Sequence, residues 1–241
     1  MDYKEIYFPT IDSTNTYLKN HFFELDNFSI VRSDYQTKGK GREDRVWKSE
    51  SGENLLFSIL IKDKDLIRYG AFLSLVAAYS ISESISKYCS KQLRPMIKWP
   101  NDIYVNDQKV CGILLEGRIP DYLIIGVGLN INQKVFAGEY RVPPTSLSLL
   151  LKKEVDFEKI KETVYSNLLS NLSNVDVLKD KFLEYFSQHD YLEGKKINTT
   201  YNHKMIKGVV KGVDEHFNLV IIDENNNEQV ISSGEINCTN S

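Results

Sequence analysis

A basic, glycine-containing segment between residues 36 and 48 has the composition of an anion-binding loop. It carries five cations against two carboxylates: Lys38, Lys40, Arg42, Arg45 and Lys48 against Glu43 and Asp44. Its two glycines let the backbone take up positive φ and pass close to a ligand, so that N–H groups and cations converge on one oxyanion. A solvated surface hairpin explains the same composition, and the segment alone does not identify the anion.

Polar motifs also stand on either side of this basic loop. Upstream is Asp12-Ser13-Thr14-Asn15, and downstream are Lys-Trp-Pro-Asn-Asp at 98–102, Lys-Val-Cys-Gly-Ile-Leu-Leu-Glu-Gly at 109–117 and Gly-Val-Gly-Leu-Asn-Ile-Asn at 126–132. Taken singly, these residues have structural explanations: helix capping for Ser13 and Thr14, an Asx turn for Asn101 and Asp102, a β-bulge for Gly112 and solvation for Lys109. The 126–132 motif lacks the later glycine and helix of a dinucleotide fingerprint.

Together and in this order, the motifs resemble those of the biotin protein ligase family, also called biotin–(acetyl-CoA-carboxylase) ligases, across essentially the whole chain. The resemblance implies that ATP activates biotin to biotinyl-5′-AMP and that a lysine of a biotin carboxyl carrier protein then accepts the biotin. It implies ATP with Mg²⁺ as the substrate complex, biotin as the second substrate, and no tightly bound metal. The implied fold is a class II synthetase-like biotin/lipoate ligase catalytic domain followed by an SH3-like barrel.

The resemblance also implies roles for single residues. Lys109 would hold the biotin carboxylate and then the acyl phosphate oxygen, Arg42 would close over the adenylate, and Asp102 would orient ATP, magnesium or the incoming amine; these three are the expected catalytic residues. The expected biotin contacts are Ser13, Thr14, Asn15, Gln36, Gly39, Lys40, Gly41, Arg42, Lys109 and Gly112. The expected ATP or adenylate contacts are Lys40, Arg42, Arg45, Trp47, Asn101, Asp102 and Asn130.

The chemistry of the ligand and one departure from the family refine these expectations. Hydroxyl and amide side chains suit a neutral cyclic urea, which has two N–H donors and one carbonyl acceptor. The family usually has arginine where Lys40 stands, and lysine lacks the planar bidentate fork, so its contact is expected to be weaker or purely Coulombic. Glu43 and Asp44 could pair with Arg45 and leave Lys40 and Arg42 for the ligand. Trp47 and Trp99 are either core residues or walls of the pocket.

The elements that position these residues follow an α+β pattern. Strands are expected near residues 6–11, 28–34, 54–61, 97–100, 102–105, 109–116 and 123–131, and helices near 16–20, 69–88, 146–152 and 157–187. They predict a mixed β-sheet flanked by helices, with the helices on one side. Short strands between 195 and 231 predict a small five-stranded barrel. The chain is therefore expected to have a catalytic domain at 1–188 and a C-terminal domain at 189–241. So small a barrel has marginal stability alone, so we expect it to dock on the catalytic domain.

Composition excludes several other classes of protein. The chain has 241 residues, 41% of them hydrophobic, which suits one sizeable core and a small second one. A net charge of -3 argues against a nucleic-acid protein. The three cysteines lie far apart in the sequence, and the histidines do not have the spacing of metal ligands. The sequence therefore indicates neither disulfides nor a zinc site, and it favours a cytoplasmic location. No signal peptide or membrane span is indicated, so we expect no membrane partner. No helix-turn-helix precedes the first strand, so we expect no DNA partner. We also expect a monomer or a weak homodimer.

Two alternatives remain open at this point. Lipoate and octanoate ligases share the same catalytic fold, although the 98–102 motif and the loop spacing favour biotin. From another class, the chain could be a non-catalytic nucleic-acid-binding or ligand-binding module that uses the basic loop. Against this, residues 189–241 contain 5 cations and 8 anions, so no basic stripe continues.

Overall fold

The computed structural model describes residues 3–90 and 92–239. Seven strands form the larger sheet: β1 (Glu5–Ile11), β2 (Ile30–Gln36), β3 (Asn54–Ile61), β4 (Met96–Lys98), β5 (Asp102–Val105), β6 (Gln108–Arg118) and β7 (Tyr122–Asn130). Their order is β1-β2-β3-β7-β6-β5-β4. Only β1 and β2 pair in parallel among them, so the predicted mixed sheet is confirmed.

Six helices accompany this sheet: α1 (Thr14–His21), α2 (Lys64–Ile67), α3 (Phe72–Ser86), α4 (Leu147–Leu151), α5 (Phe157–Ser173) and α6 (Val175–His189). The helical pattern expected at 157–187 is confirmed, and it is divided into two helices because the chain breaks at Asn174. The Asn174 amide Nδ2 donates to the Ser170 carbonyl at 2.7 Å, an example of an asparagine side chain competing for helix backbone groups. The four-residue α2 is too short to show helical periodicity and was missed.

Helices cover both faces of the sheet, so the expectation that they lie on one side is wrong for α1. On one face, alternate β3 residues such as Phe57 and Ile59 join the main core under α3, α5 and α6. On the other face, Leu60 joins a second cluster with Leu18 and Phe22 of α1 and its C-terminal flank. Since successive strand residues point to opposite faces, the even-numbered positions of β3 and β7 share the α1 face.

A second sheet follows α6 and is antiparallel throughout: β8 (Lys196–Tyr201), β9 (Lys204–Val213), β10 (Leu219–Asp223), β11 (Glu228–Ile231) and β12 (Asn237–Cys238), in the order β11-β10-β9-β8-β12. Its two end strands do not pair within the described residues, so the five-stranded barrel is open. The two-residue β12 was not located in advance. The domain boundary between 188 and 189 stays a prediction, and residues 1, 2, 91, 240 and 241 of those domains lie outside the described residues.

The second sheet packs on the first unit through one aromatic side chain. Phe217, in the turn between β9 and β10, is 5% exposed. Its ring stacks on Phe72 of α3 at 3.9 Å and meets Phe182 of α6 edge-on at 5.1 Å. Trp99 Nε1 donates to the Phe217 carbonyl at 2.9 Å. Trp99 is therefore a buried residue of this junction, and it joins the 98–102 motif to the C-terminal sheet.

Candidate functional site

A cavity of about 380 Å³ on the α1 face of the larger sheet brings the sequence motifs together. The predicted site residues that line it are Ser13, Thr14, Asn15, Gln36, Lys40, Gly41, Arg42, Arg45, Trp47, Asn101, Asp102, Lys109, Gly112 and Asn130. Gly39 does not line it. Gly39 is buried behind the loop, where its carbonyl accepts the Trp47 N–H at 3.0 Å and a Cβ would lie 2.5 Å from the Trp47 carbonyl oxygen.

One end of the cavity is a hydrogen-bonded polar group at the start of α1. Ser13 caps the helix by accepting from Thr16 N at 3.5 Å, so capping and a place in the cavity coexist. Thr14 N donates to Gln36 Oε1 at 2.8 Å, which fixes the orientation of the Gln36 amide. The end is therefore rich in hydroxyl and amide groups and carries no cation.

Behind this polar end lie two residues that sequence analysis did not single out. Ser58 of β3 lies 2.6 Å from Thr14 Oγ1 and 2.5 Å from Asn15 Oδ1, and Asn15 Nδ2 donates to Glu116 Oε2 of β6 at 2.7 Å. Ser58 is a lone hydroxyl in a fully buried, otherwise mostly apolar strand, which was the available signal. Glu116 stood within a recognised motif but had no role assigned.

Glycines in β6 and β7 form the floor of the cavity. A Cβ at Gly126 would lie 2.2 Å from Asn15 Oδ1, and one at Gly128 would lie 2.5 Å from the Trp47 indole. A Cβ at Gly112 would lie 2.7 Å from the same indole. The absent side chains let Asn15 and Trp47 lie directly on the sheet, so Trp47 is a wall of the pocket. Its Nε1 is buried without a hydrogen-bond partner in the part of the chain that the structure describes.

An ion pair occupies the middle of the cavity. Lys109 Nζ lies 2.8 Å from Asp102 Oδ1, with the two side chains 27% and 18% exposed. The Lys109 backbone is held at both ends, because its N–H donates to the Pro143 carbonyl and its carbonyl accepts from Thr145 N, each at 2.9 Å. An ammonium has three donors, so pairing with Asp102 leaves Lys109 able to bind an anion as well.

The strand pairing beside Lys109 is irregular. Ile103 pairs with Cys111, whereas Tyr104 pairs with Lys109, so the register shifts between them. Such shifts re-aim side chains. The alternative explanation of Gly112 as a bulge is wrong, since Gly112 pairs with Asp102 and Gly128 in regular register. The register shift lies between Lys109 and Cys111, before Gly112 in the strand.

Two further cations line the cavity and were missed. Lys98 closes β4, and burial lowers the pKa of its ammonium; the Asp102 carboxylate opposes this shift, while the Arg141 and Lys109 cations add to it. Arg141 lies in a segment that contributes Phe136, Glu139, Tyr140, Arg141, Val142 and Pro144 to the wall. This segment has no periodicity or motif that could have placed it. With Lys109, these cations make this part of the cavity favourable for an anion.

The basic loop folds into a tight hairpin over the cavity. Lys40 and Val46 form an isolated antiparallel bridge, and Gly41 N donates to the Arg45 carbonyl at 2.6 Å. The tip takes up left-handed φ of 54° and 58° at Glu43 and Asp44. The expectation that the loop glycines supply positive φ is therefore wrong. Gly39 and Gly41 instead permit close approach of the two arms of the hairpin.

The arginines of the loop reach the 98–102 motif and the C-terminal sheet. Arg42 donates to Asn101 Oδ1 at 3.2 Å and to the Gly234 carbonyl at 2.9 Å. Arg45 lies 3.7 Å from Glu43, as the predicted pairing requires, but 2.8 Å from Glu235, which also pairs with Arg141. Arg42 is thus already engaged within the protein, contrary to the idea that acidic neighbours leave it unpaired. Glu235 was missed because it is 190 residues from Arg45 in sequence.

Asn130 lies at the far end of the β7 floor. It is buried, and its Nδ2 donates to the Thr145 carbonyl at 2.9 Å. Its Oδ1 has no hydrogen-bond partner among residues 3–90 and 92–239. Asn130 thus presents an unused acceptor beside the cavity.

Within residues 3–90 and 92–239, no cluster of three or more His, Cys, Asp or Glu side chains is placed to bind a metal ion. Over the same residues, every helix is too short or too polar to cross a membrane.

The sequence of this chain is similar to the sequences of known proteins. A sequence profile of the Biotin/lipoate A/B protein ligase family matches residues 7–130. The bifunctional ligase/repressor BirA of Escherichia coli is 28% identical over 220 residues, covering 88% of this chain and 67% of that protein. The biotin–(acetyl-CoA-carboxylase) ligase of Paracoccus denitrificans is 33% identical over 123 residues, covering 50% of this chain and 51% of that protein. The chain thus spans between half and two thirds of these two relatives.

A solved structure is similar over nearly the full length. It is the biotin protein ligase from Aquifex aeolicus in complex with biotin and ATP. Its TM-score is 0.85 at 28% sequence identity, and the match covers 99% of each chain. The likeness therefore includes both sheets as well as the matched motifs.

Proposed function

The chain belongs to the biotin/lipoate A/B protein ligase family, and from this membership we propose that it is a biotin protein ligase. It activates biotin with ATP to biotinyl-5′-AMP and transfers the biotin to a lysine of a carrier protein. The observation that carries the proposal is the Lys109–Asp102 ion pair, 2.8 Å apart, between a neutral polar end and an arginine-bearing hairpin. One cavity thus offers separate places for a urea ring, a carboxylate and a phosphate.

Biotin lies with its ureido ring at the polar end and its carboxylate towards Lys109. Ser13, Thr14, Asn15 and Gln36 surround the ring with hydroxyl and amide groups, which match a neutral cyclic urea better than charges do. The Trp47 indole lies over Gly112 and Gly128 and packs on the ligand as a flat wall. Lys109 holds the carboxylate by a charge-assisted hydrogen bond.

The first half-reaction joins the two anions. A carboxylate oxygen of biotin attacks the α-phosphorus of ATP, the bond from that phosphorus to the bridging oxygen breaks, and pyrophosphate leaves. Lys109, Lys40 and Arg42 neutralise the negative charge that develops, in a site where fixed donors are worth more than in water. Lys40 contributes as a point charge rather than as a fork.

Nucleotide binding uses the outer part of the cavity. Arg42, Arg45, Trp47, Asn101, Asp102 and Asn130 are the proposed contacts of ATP or the adenylate. Mg²⁺ enters with the ATP phosphates, and a single protein carboxylate such as Asp102 suits an ion that is bound mainly through substrate phosphates. The hairpin and residues 234–236 cover the mixed anhydride and slow its hydrolysis.

In the second half-reaction, the ε-amine of a carrier lysine attacks the acyl carbon and AMP leaves. Asp102, beside Lys109, accepts the proton of the incoming ammonium. The carrier is the biotin carboxyl carrier domain of a biotin-dependent carboxylase, as the name of the Paracoccus relative suggests. We propose further that the protein binds neither DNA nor membrane, acts in the cytoplasm, and is a monomer or weak homodimer.

The polar end argues against the lipoate or octanoate alternative. A dithiolane or alkyl chain cannot hydrogen-bond to Thr14 or Gln36, so it would displace water from these polar groups without replacing the hydrogen bonds that the water makes. The binding-module alternative gives no reason for a partly buried ion pair between the polar end and the arginine-bearing hairpin. The Paracoccus relative and the solved structure described above are biotin ligases by name, which supports biotin as the substrate.

Mass spectrometry of the protein after incubation with biotin, ATP and Mg²⁺ tests the proposal directly. We expect biotinyl-5′-AMP from biotin and no lipoyl-AMP from a parallel incubation with lipoate. Adenylate from lipoate alone would move the chain to the lipoate branch of the family. No adenylate with either acid would overturn the enzymatic assignment.

A further inference from the structure

A chain of four side chains runs from outside the cavity to its polar end. Glu116 Oε2 accepts from Asn15 Nδ2 at 2.7 Å, Asn15 Oδ1 lies 2.5 Å from Ser58 Oγ, and Ser58 Oγ lies 2.6 Å from Thr14 Oγ1. Thr14 and Asn15 line the cavity, whereas Ser58 and Glu116 do not. The last two residues can therefore influence a ligand only through the first two.

The carboxylate fixes the direction of the first two hydrogen bonds. A carboxylate accepts and an amide nitrogen donates, so Asn15 must turn its Nδ2 to Glu116 and its Oδ1 to Ser58. That Oδ1 is only an acceptor, and Ser58 has a single hydroxyl proton. Ser58 must therefore give its proton to Asn15, and its lone pairs face Thr14.

Ser58 Oγ is also in position to donate to Thr14 Oγ1, but its single proton already goes to Asn15, so the Thr14 hydroxyl must be the donor across this contact. The competing acceptor for its proton is Gln36 Oε1, which lies at 3.1 Å and already accepts the Thr14 N–H. Donation to Gln36 would leave two oxygens 2.6 Å apart with no proton between them, which is unfavourable for buried oxygens. The proton of Thr14 is thus committed away from the cavity, so towards the cavity, which Thr14 lines, its Oγ1 can only accept.

Burial keeps this order from being scrambled by water. Thr14, Asn15 and Ser58 are 3%, 4% and 0% exposed. Bulk water has no access to Ser58 and little access to Thr14 and Asn15, so each hydroxyl keeps the direction that its neighbour imposes. A ligand that reaches the polar end meets a fixed acceptor at Thr14.

We propose that Glu116 is a positioning residue that makes Thr14 an obligatory hydrogen-bond acceptor, and so selects ligands that present an N–H group at this end. The inference rests on the proposed function and deepens it. A cyclic urea supplies the required N–H, whereas a dithiolane or an alkyl chain does not. A ligand without the donor leaves a buried acceptor unpaired, the kind of mismatch that binding sites discriminate strongly.

Glu116→Gln tests the proposal, because a glutamine can either donate or accept and so releases the direction of the chain. In a pyrophosphate-release assay we expect the KM for biotin to rise by about 10-fold, with kcat and the KM for ATP unchanged. The preference for biotin over an analogue methylated at the ureido nitrogens should shrink in the same variant. Glu5→Gln is the matched control, since Glu5 is a half-buried carboxylate of the same sheet, paired with Arg32 away from the cavity.

Ser58→Ala breaks the same chain at a second point and guards against a folding defect in the first variant. If the chain acts as a unit, Glu116→Gln combined with Ser58→Ala should raise the biotin KM no more than either change alone. Additive effects, an unchanged biotin KM, or a fall in kcat alone would overturn the inference. Native protein that consumes no biotin would instead refute the proposed function, so the two failures are distinguishable.

Discussion

Lys109 is the single residue on which the proposed chemistry depends most. Its ammonium is the cation in the middle of the cavity, and its backbone is fixed by Pro143 and Thr145. Lys109→Ala removes the proposed partner of both the biotin carboxylate and the acyl phosphate oxygen. We expect kcat/KM for adenylate formation to fall by roughly 100-fold or more, as for loss of an oxyanion donor.

Pyrophosphate release in the presence of biotin and ATP measures this effect. Lys38→Ala is the control, since Lys38 is an exposed cation of the same basic loop that does not line the cavity. Equal losses in the two variants would mean that only the overall positive charge of the region matters. The specific role of Lys109 would then be wrong.

Residues with local signals could be predicted from the sequence, and residues defined by distant contacts could not. Thr14 and Lys109 stand in compact motifs, so their types and order were enough. Ser58 is 43 residues from Asn15, and Glu116 is 101 residues from it. Their roles come from sheet register and burial, which one sequence does not display. The role of Glu235 likewise depends on contacts with residues that are distant in sequence.

At the scale of elements, the long strands and helices were predictable because burial imposes a clear period on them. The β3 strand is buried at all eight positions, and an apolar run of that length indicates a central strand. The misses were α2 and β12, which are shorter than the window in which a period is visible. The break at Asn174 depends on one side-chain hydrogen bond, and the opposite placement of α1 depends on the sheet topology.

The junction between α6 and β8 carries a titration that should control stability. Asp190 is 7% exposed, its Oδ1 accepts from Leu192 N at 2.8 Å, and burial raises its pKa to about 6. An unfolded aspartate titrates near 3.9, roughly two units lower. Because the folded state holds the proton more tightly, this group stabilises the protein most below about pH 4, and the contribution is lost as pH rises to about 6.

Asp190→Asn keeps the acceptor and removes the buried charge. We expect it to raise the free energy of unfolding by about 2 kcal/mol at pH 8 and to change it little at pH 4. Urea denaturation at the two pH values measures the difference. Glu184→Gln, an exposed carboxylate of α6, should show no such contrast, and a gain for Asp190→Asn that is the same at both pH values would contradict the buried-charge explanation.

At the scale of the whole molecule, two of the contacts between the C-terminal sheet and the rest of the protein bear on the cavity. One is the aromatic junction, where Phe217 packs between Phe72 and Phe182. The other is the mouth of the cavity, where Arg42 and Arg45 bind Gly234 and Glu235. The first is apolar and adjoins the cavity through Trp99, and the second is polar and lies over the cavity. If the C-terminal sheet moves as a unit, loosening the first contact must also disturb the second.

Phe217→Ala tests this coupling. Removing a buried ring of this size should lower the free energy of unfolding by about 3 kcal/mol, measured by urea denaturation with the fluorescence of the adjacent Trp99. The KM for ATP should also rise, by several-fold, because Gly234 and Glu235 would no longer hold the arginines in place. The KM for biotin should change less, since the polar end is built from α1, β2 and β3.

Two further variants separate coupling from general damage. Met205→Ala alters a 70% exposed side chain of the same sheet and should change neither stability nor the KM for ATP. Phe217→Leu keeps most of the apolar volume without the stacked ring, so it should lie between the native protein and Phe217→Ala in both measurements. A loss of stability with an unchanged KM for ATP in both Phe217 variants would show that the hairpin holds its arginines independently of the aromatic junction. The C-terminal sheet would then act on the cavity through residues 234–236 alone.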